Sequence, residues 1–363
     1  MMRHSIVTHL WVAVCLVALA AAGCGSEVGA SNPSGDAGAD TAVFDTADAA
    51  DATDTHDSSA DAQDAGGEDA GPGGPHPIVL AHGMFGFEHL ADLEGLDYYF
   101  RLQDELEDRG NDVLVKEVDP FNDSYVRGEQ LLAHIEAFVE DGGHEKVNII
   151  AHSQGGLDAR YVAHHRPDLV ASVVTVSSPH GGTPVADIVV ELVENQTFRD
   201  IVDALVRLVG KPLFDEVGDK TSLFLPLENF SQDGIERFNA EITDQPDVLY
   251  ASVAGRTAQK LGEVACATEH APPFIEEWDD VGDPVDPFLS VTETIVSEAD
   301  DAIPNDGLVR VEDAKWGLFL GCVPADHLDE VGQLIGDNPG AGNDWDYLAF
   351  SLDLVDWLRQ RGH

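Results

Sequence analysis

Ile150-Ala151-His152-Ser153-Gln154-Gly155-Gly156-Leu157-Asp158 decides how the rest of this chain is read. A mostly β-branched run from Val147 to Ile150 leads straight into Ser153, and a helix-forming stretch from Leu157 to His165 follows at once. Strand, serine, helix is the order of a nucleophile elbow, a turn that lifts a serine hydroxyl above the end of a sheet. The turn is so tight that the residues two before and two after the serine nearly touch. Both must be small, and Ala151 and Gly155 are. Glycine is usual at the first of these places, and alanine still fits. The bland alternative is an ordinary strand-to-helix turn with an incidental serine, so the decision rests on the other segments.

The 363 residues leave room for one large or two ordinary domains, and composition changes sharply near Pro75. Residues 1–23 carry Arg3, an apolar run from Ile6 to Ala22 and then small residues, which reads as a secretory signal rather than a membrane span. Its end, Leu19-Ala20-Ala21-Ala22-Gly23-Cys24, resembles a bacterial lipoprotein signal, in which Cys24 becomes the lipid-bearing first residue. Cleavage without lipid is the competing reading. Gly25 in place of Asp points to the outer membrane, so the expected address is exported, as an outer-membrane lipoprotein or secreted.

From residue 24 to His76 the chain is Asp, Ala, Gly, Ser and Thr with almost no large apolar side chain. Such a segment buries too little surface to offset its ordering entropy, and its carboxylates repel one another. It is expected to be a disordered acidic tether. A calcium-binding repeat is the alternative, against which the irregular Asp spacing argues.

Residues 77–363 then form one domain. From Pro75 onward the chain holds 18 Lys and Arg against 56 Asp and Glu. Nucleic acid is excluded as a partner, because its phosphates would be repelled. Saline surroundings or divalent cations would screen so acidic a surface. With Cys15 in the signal and Cys24 at its end, Cys266 and Cys322 remain, an even pair in an oxidising compartment and hence an expected disulfide.

Ile78 to Leu80, Val113 to Val118, Val147 to Ile150, Val170 to Val176 and Val248 to Val253 read as buried strands. A helix carrying Leu93, Leu96, Phe100 and Leu106 follows the first, Glu129 to Val139 follows the second, and Leu348 to Leu358 closes the chain. Strand and helix in alternation predict an α/β fold with a mostly parallel sheet covered on both faces. Between residues 184 and 227 the pattern breaks into a segment too apolar for one buried stripe. It is either a core helix pair or a helical lid over an acyl-binding cleft, and its departure just after the strand following the elbow favours the lid.

A serine hydroxyl needs an imidazole to take its proton and a carboxylate to orient that imidazole. Downstream, His327 in Ala325-Asp326-His327-Leu328-Asp329-Glu330 is the best base, ahead of His270 and His363. Asp306, in the turn Asn305-Asp306-Gly307, is the best acid, with Asp300 and Asp301 as rivals. The oxyanion that forms on acyl transfer needs preplaced N–H donors. The expected pair is Gln154, after the serine, and Met84 in His82-Gly83-Met84.

Five segments now carry a likeness: Pro77 to Phe87, Ala151 to Ala163, Ser178-Pro179-His180-Gly181-Gly182, Asn305 to Val309, and His327 to Gln333. In this order the chain resembles the secreted bacterial triacylglycerol lipases, the calcium-dependent and often foldase-assisted group of the α/β-hydrolase superfamily. The resemblance implies Ser153 as nucleophile, Asp306 as orienting acid and His327 as general base. It implies no organic cofactor. It also implies a structural Ca2+ held by Asp329 and Asp283, with Asp286 as runner-up, and completed by backbone carbonyls of Gln333 and Asp337. Hard oxygen donors suit that ion. The simpler reading of Asp329 and Glu330 is a pair of acids favourable at a helix start. Cys322 lies sixteen residues after Asp306, farther than the family's second cysteine, and the acidic tether is unusual there. The expected activity is hydrolysis of acylglycerols or other esters at a lipid–water interface. A short-chain esterase, a polyester depolymerase and an acyltransferase keep the same triad, and a surface binding module without catalysis is the reading from another class.

Overall fold

The computed structural model describes residues 76–84, 98–192, 221–222, 224–257, 263–287, 289–297, 303–336, 339 and 343–363. The chain divides into two units, Met1–Gly66 and Gly67–His363, and every described residue lies in the second. The signal, Cys24 and the acidic tether up to residue 75 fall outside the described residues, as do Asp300, Asp301, Asp337 and residues 193–220 of the expected lid.

Six strands are described: β1 (Ile78–Ala81), β2 (Val113–Val115), β3 (Val147–His152), β4 (Val170–Val176), β5 (Leu249–Gly255) and β6 (Leu318–Val323). The longer helices are α1 (Leu102–Asp108), α2 (Ser124–Gly142), α3 (Gly155–His165), α4 (Pro184–Leu192), α5 (Phe224–Phe230), α6 (Gln232–Glu241), α7 (Ser290–Val296) and α8 (Tyr347–Arg359). All strand pairs are parallel, in the order β2-β1-β3-β4-β5-β6. The α/β architecture expected from alternation is therefore present. Every residue of β1, β3 and β4 is buried, which explains their largely apolar character: both faces are covered, and the polar exceptions Asn148 and Ser172 bond each other. One cluster packs β1, β3, β4 and β5 against α1 and α8, and another packs β1 and β3 against α2 and α3. Full burial of a side chain such as Ile149 contributes roughly 1.5–3 kcal/mol.

Strand order reverses between β1 and β3, since the chain goes from β1 outward to β2 and returns on the other side. The loops leaving β1 and β3 therefore open a crevice at the carboxyl end of the sheet, the usual ligand position in such sheets.

Three local readings are corrected. The second strand stops at Val115 rather than Val118. Helix α2 begins at Ser124, five residues before Glu129, because the Asp123 carboxylate caps the N–H groups of Tyr125 and Val126. It ends at Gly143, in the left-handed region that glycine adopts freely. The edge strand β6 was not anticipated; Gly317 before it and Gly321 within it, both at positive φ, break its apolar run. The disulfide is formed as expected, joining Cys266 to Cys322 in β6.

Candidate active site

Ser153 stands at φ 55°, a left-handed conformation that L side chains avoid, between β3 and α3. The strain is held by close packing. A Cβ on Gly155 would lie 2.1 Å from the carbonyl oxygen of Ala81, and one on Gly156 would lie 2.0 Å from Ser178 Oγ. Only glycine lets α3 start this close to β1 and to the loop after β4. Ser153 N–H donates to Val176 O at 3.0 Å, which pins the elbow to β4.

His327 arrives on the loop after β6, and its Nε2 lies 2.9 Å from Ser153 Oγ. Its Nδ1 lies 2.8 Å from Asp306 Oδ2. The other carboxylate oxygen, Asp306 Oδ1, accepts the N–H groups of Leu308 and Val309 at 2.8 and 2.7 Å. The carboxylate is thus fixed by its own turn while it fixes the imidazole. Serine, histidine and aspartate from three distant segments meet, and His270, the runner-up base, is exposed.

The loop after β1 lies against the serine. A Cβ on Gly83 would meet Ser153 Cβ at 2.7 Å and Ser153 Oγ at 3.2 Å. Arg127, fully buried on α2, donates to His82 O at 2.6 Å, to Gly83 O at 3.3 Å and to Asp119 O at 3.3 Å. Its Nε and Nη2 both reach Asp158 Oδ2 at 2.8 Å. His82 Nε2 accepts from Val118 N–H at 3.1 Å, so the ring proton sits on Nδ1 and donates to Gly83 O at 2.8 Å. Burial, then the nearby Arg127, push His82 down to about 3, which keeps that tautomer neutral. The Gly83 carbonyl is therefore held from two sides. In a planar trans peptide the Met84 N–H must point the opposite way. Met84 itself is partly buried, and Gln154 is fully buried at the N-terminal cap of α3.

Behind the triad lies a second buried network that sequence reasoning missed. Tyr98 Oη is 2.6 Å from His152 Nδ1, and His152 Nε2 is 3.0 Å from Glu330 Oε2. Ser177 Oγ donates to Glu330 Oε1 at 2.6 Å while accepting from Gly255 N–H at 2.8 Å. Burial first, and Asp306 second, push the Glu330 carboxyl well above the usual range. Burial holds His152 well below that of an ordinary imidazole, with its ring centroid 4.5 Å from that of His327. This polar packing locks His152, next to Ser153, to the segment after His327.

Comparison with known proteins agrees with this geometry. Residues 76–226 match the α/β hydrolase fold family. A triacylglycerol lipase of Vibrio cholerae serotype O1 is 34% identical over 271 residues, covering 72% of this chain and 81% of that protein. The chain belongs to the triacylglycerol lipase family. A triacylglycerol lipase of Pseudomonas fragi is 42% identical over 113 residues, 31% of this chain and 37% of that protein. The crystal structure of Staphylococcus hyicus lipase shares the fold at TM-score 0.57 and 17% identity, covering 79% of this chain and 96% of that one.

In this lipase fold the expected metal ligands Asp283 and Asp329 do come together, and Asp326 joins them. All three are buried, with carboxylate oxygens within 4.8 Å of one another. Asp326 was not foreseen. It also knits the loops, accepting Asp286 N–H at 2.6 Å and Leu328 N–H at 3.0 Å. Asp286, the runner-up ligand, contributes that N–H and stands outside the three-carboxylate group. Gln333 opens a one-turn helix and donates its N–H to Leu328 O. Three hard carboxylate donors side by side repel one another, and a divalent cation relieves that repulsion. The residues present fit a metal ion.

Proposed function

We propose that this domain is a lipase that cleaves acylglycerol esters through an acyl-enzyme on Ser153. The observation that carries the reading is the 2.9 Å and 2.8 Å pair of hydrogen bonds linking Ser153 Oγ, His327 and Asp306. In the first half-reaction Ser153 Oγ bonds to the acyl carbon while its proton passes to His327 Nε2. Asp306 keeps the opposite nitrogen protonated and steadies the imidazolium. The tetrahedral oxyanion rests on the N–H groups of Met84 and Gln154, where the N-terminal end of α3 adds favourable dipole. The ester C–O bond then breaks, and the His327 proton leaves with the alcohol. In the second half, water gives a proton to His327 and its oxygen to the acyl carbon, and Ser153 recovers its proton as the fatty acid departs.

A fluorophosphonate probe tests this reading: it labels the protein, and Ser153→Ala abolishes labelling. Unlabelled wild-type protein would overturn it. A chain-length series of p-nitrophenyl esters, with and without an emulsified interface, separates lipase from short-chain esterase. Asp283, Asp326 and Asp329 are proposed to hold Ca2+, which bound there would pin the loop that carries His327. Chelation with EDTA is expected to lower the melting temperature, and an unchanged melting temperature removes the assignment. Export with lipid on Cys24 is proposed from the sequence alone; incorporation of labelled palmitate, lost in Cys24→Ala, is its test. Recovery of active enzyme from urea without any helper would remove a foldase from its partners.

A further inference from the structure

Between β2 and α2 runs a loop, Asp119 to Asp123, that touches both sides of the proposed oxyanion hole. On one side the Asp119 carbonyl accepts Arg127 Nη1, the same nitrogen that donates to Gly83 O and so helps aim Met84 N–H. On the other, the carbonyl of Asn122 accepts Gln154 Nε2 at 2.7 Å. Ser124 Oγ stands farther off at 3.5 Å, and Gln154 Oε1 has no partner among the described residues. The buried Gln154 side chain is thus seated chiefly by one carbonyl of this loop.

The loop takes its shape from the Asp119 carboxylate. Oδ1 accepts Phe121 N–H at 3.1 Å, and Oδ2 accepts Asn122 Nδ2 at 3.1 Å. Oδ2 also accepts the hydroxyl of Thr221, 102 residues away in sequence. Asp119, Asn122 and Thr221 are all at most 3% exposed, so no water competes for these bonds. Thr221 opens the described chain after residues 193–220. A second tie runs close by, from Ser124 N–H to Asn229 Oδ1 in α5 at 3.2 Å.

We propose that Asp119 is a positioning residue of the oxyanion hole, and that the Thr221 hydroxyl is the clasp that keeps it in place. The clasp reaches one donor through Asn122 and Gln154 and the other through Arg127 and Gly83. Segment 221–230, returning from the insertion after β4, therefore contributes to transition-state stabilisation without touching substrate. The proposal rests on the reading of Met84 and Gln154 as oxyanion donors, and on Ser153 as nucleophile.

Thr221→Val removes the hydroxyl at nearly constant volume, and Thr221→Ser restores it. The assay pairs kcat and KM on soluble p-nitrophenyl butyrate with inhibition by butylboronic acid. The tetrahedral boronate adduct of a serine fills an oxyanion hole, whereas bound substrate does not. Loss of one whole oxyanion donor costs about 10²–10³ in rate, so a displaced pair is expected to lower kcat about tenfold. The boronate inhibition constant should rise by a similar factor while KM moves less than about twofold, and Thr221→Ser should return both. A Thr221→Val protein that melts lower but keeps kcat and boronate affinity would overturn the proposal, leaving the bond purely structural. If that variant does not fold, Asp119→Asn, which keeps the acceptor for Phe121 N–H and loses the oxygen shared by Asn122 Nδ2 and the Thr221 hydroxyl, is read by the same criteria. Fluorophosphonate labelling of the wild type tells the two ideas apart: failure to label removes the Ser153 reading, and labelling with unchanged Thr221→Val kinetics removes this one.

Discussion

Replacing Ser153 by glycine and, separately, by alanine should give two inactive proteins in an unusual order of stability. Both lose the hydroxyl and its 2.9 Å bond to His327, so that loss cancels in the comparison. They differ in the cost of φ 55°. Alanine retains the clash between Cβ and carbonyl that makes left-handed backbone cost roughly 1–2 kcal/mol, and glycine escapes it. Glycine in turn loses roughly 0.5–1 kcal/mol more chain entropy on folding. The difference leaves Ser153→Gly more stable than Ser153→Ala by about 0.5–1 kcal/mol, the reverse of the order in an ordinary helix or strand. Urea unfolding of both variants, followed by fluorescence with refolding checked at each point, measures this directly. If glycine proves the less stable by more than about 0.5 kcal/mol, the elbow stores no strain.

Three further outcomes are expected. Arg127→Met should lower kcat on soluble esters by about 10²-fold, as for loss of one oxyanion donor. It should also cost about 3–5 kcal/mol, because Asp158 is left buried without its partner; unchanged kcat would separate Arg127 from the oxyanion loop. Opening the Cys266–Cys322 bridge by paired Ala substitutions should cost about 4 kcal/mol in urea, from the chain freedom restored across 56 residues. A loss below about 1 kcal/mol would mean the sheet alone holds this edge.

Acid should destabilise the domain. His82, His152 and His180 are buried with depressed pKa values, so below pH about 6.5 the unfolded chain binds protons that the folded one refuses. Asp158, raised by burial to about 6, and Glu330, raised well above its usual range, take up protons in the folded state and act oppositely between pH about 6 and 4. Counting also His76 and His363, which are lowered, and Asp313 and Asp326, which are raised, the lowered histidines outnumber the raised carboxyls, so the net direction is a loss of stability toward acid. Stability that stays level or rises from pH 6.5 to 4.5 would contradict it.

The buried strands were readable because burial on both faces demands runs such as Val170 to Val176, which no solvent-facing segment would carry. That Ser153, Asp306 and His327 would meet was readable because the proposed hydroxyl nucleophile needs these partner types on loops between strands. Gly128 hid the true start of α2, which Asp123 caps, since a helix that continues through a glycine looks broken there. The supporting groups were illegible for a different reason. His152 meets Glu330 across 178 positions, Thr221 meets Asp119 across 102, and Arg127 meets Asp158 across 31. Nothing in the local pattern around any of them signals a partner, because each pairing exists only once the sheet has formed. Asp326, next to His327, was passed over because one acid among many in so acidic a chain carries no spacing signal of its own.

The imidazole depends on a strand at the margin of the sheet. Because β6 has, among the described residues, a neighbour on one side only, the segment delivering His327 docks onto the edge that β5 offers. The nucleophile and the donors near it belong to the interior and are complete earlier in the chain. A chain stopped before that final addition would carry an armed-looking serine with no proton acceptor. Turnover of ester thus reports that the sheet has been built out to this strand.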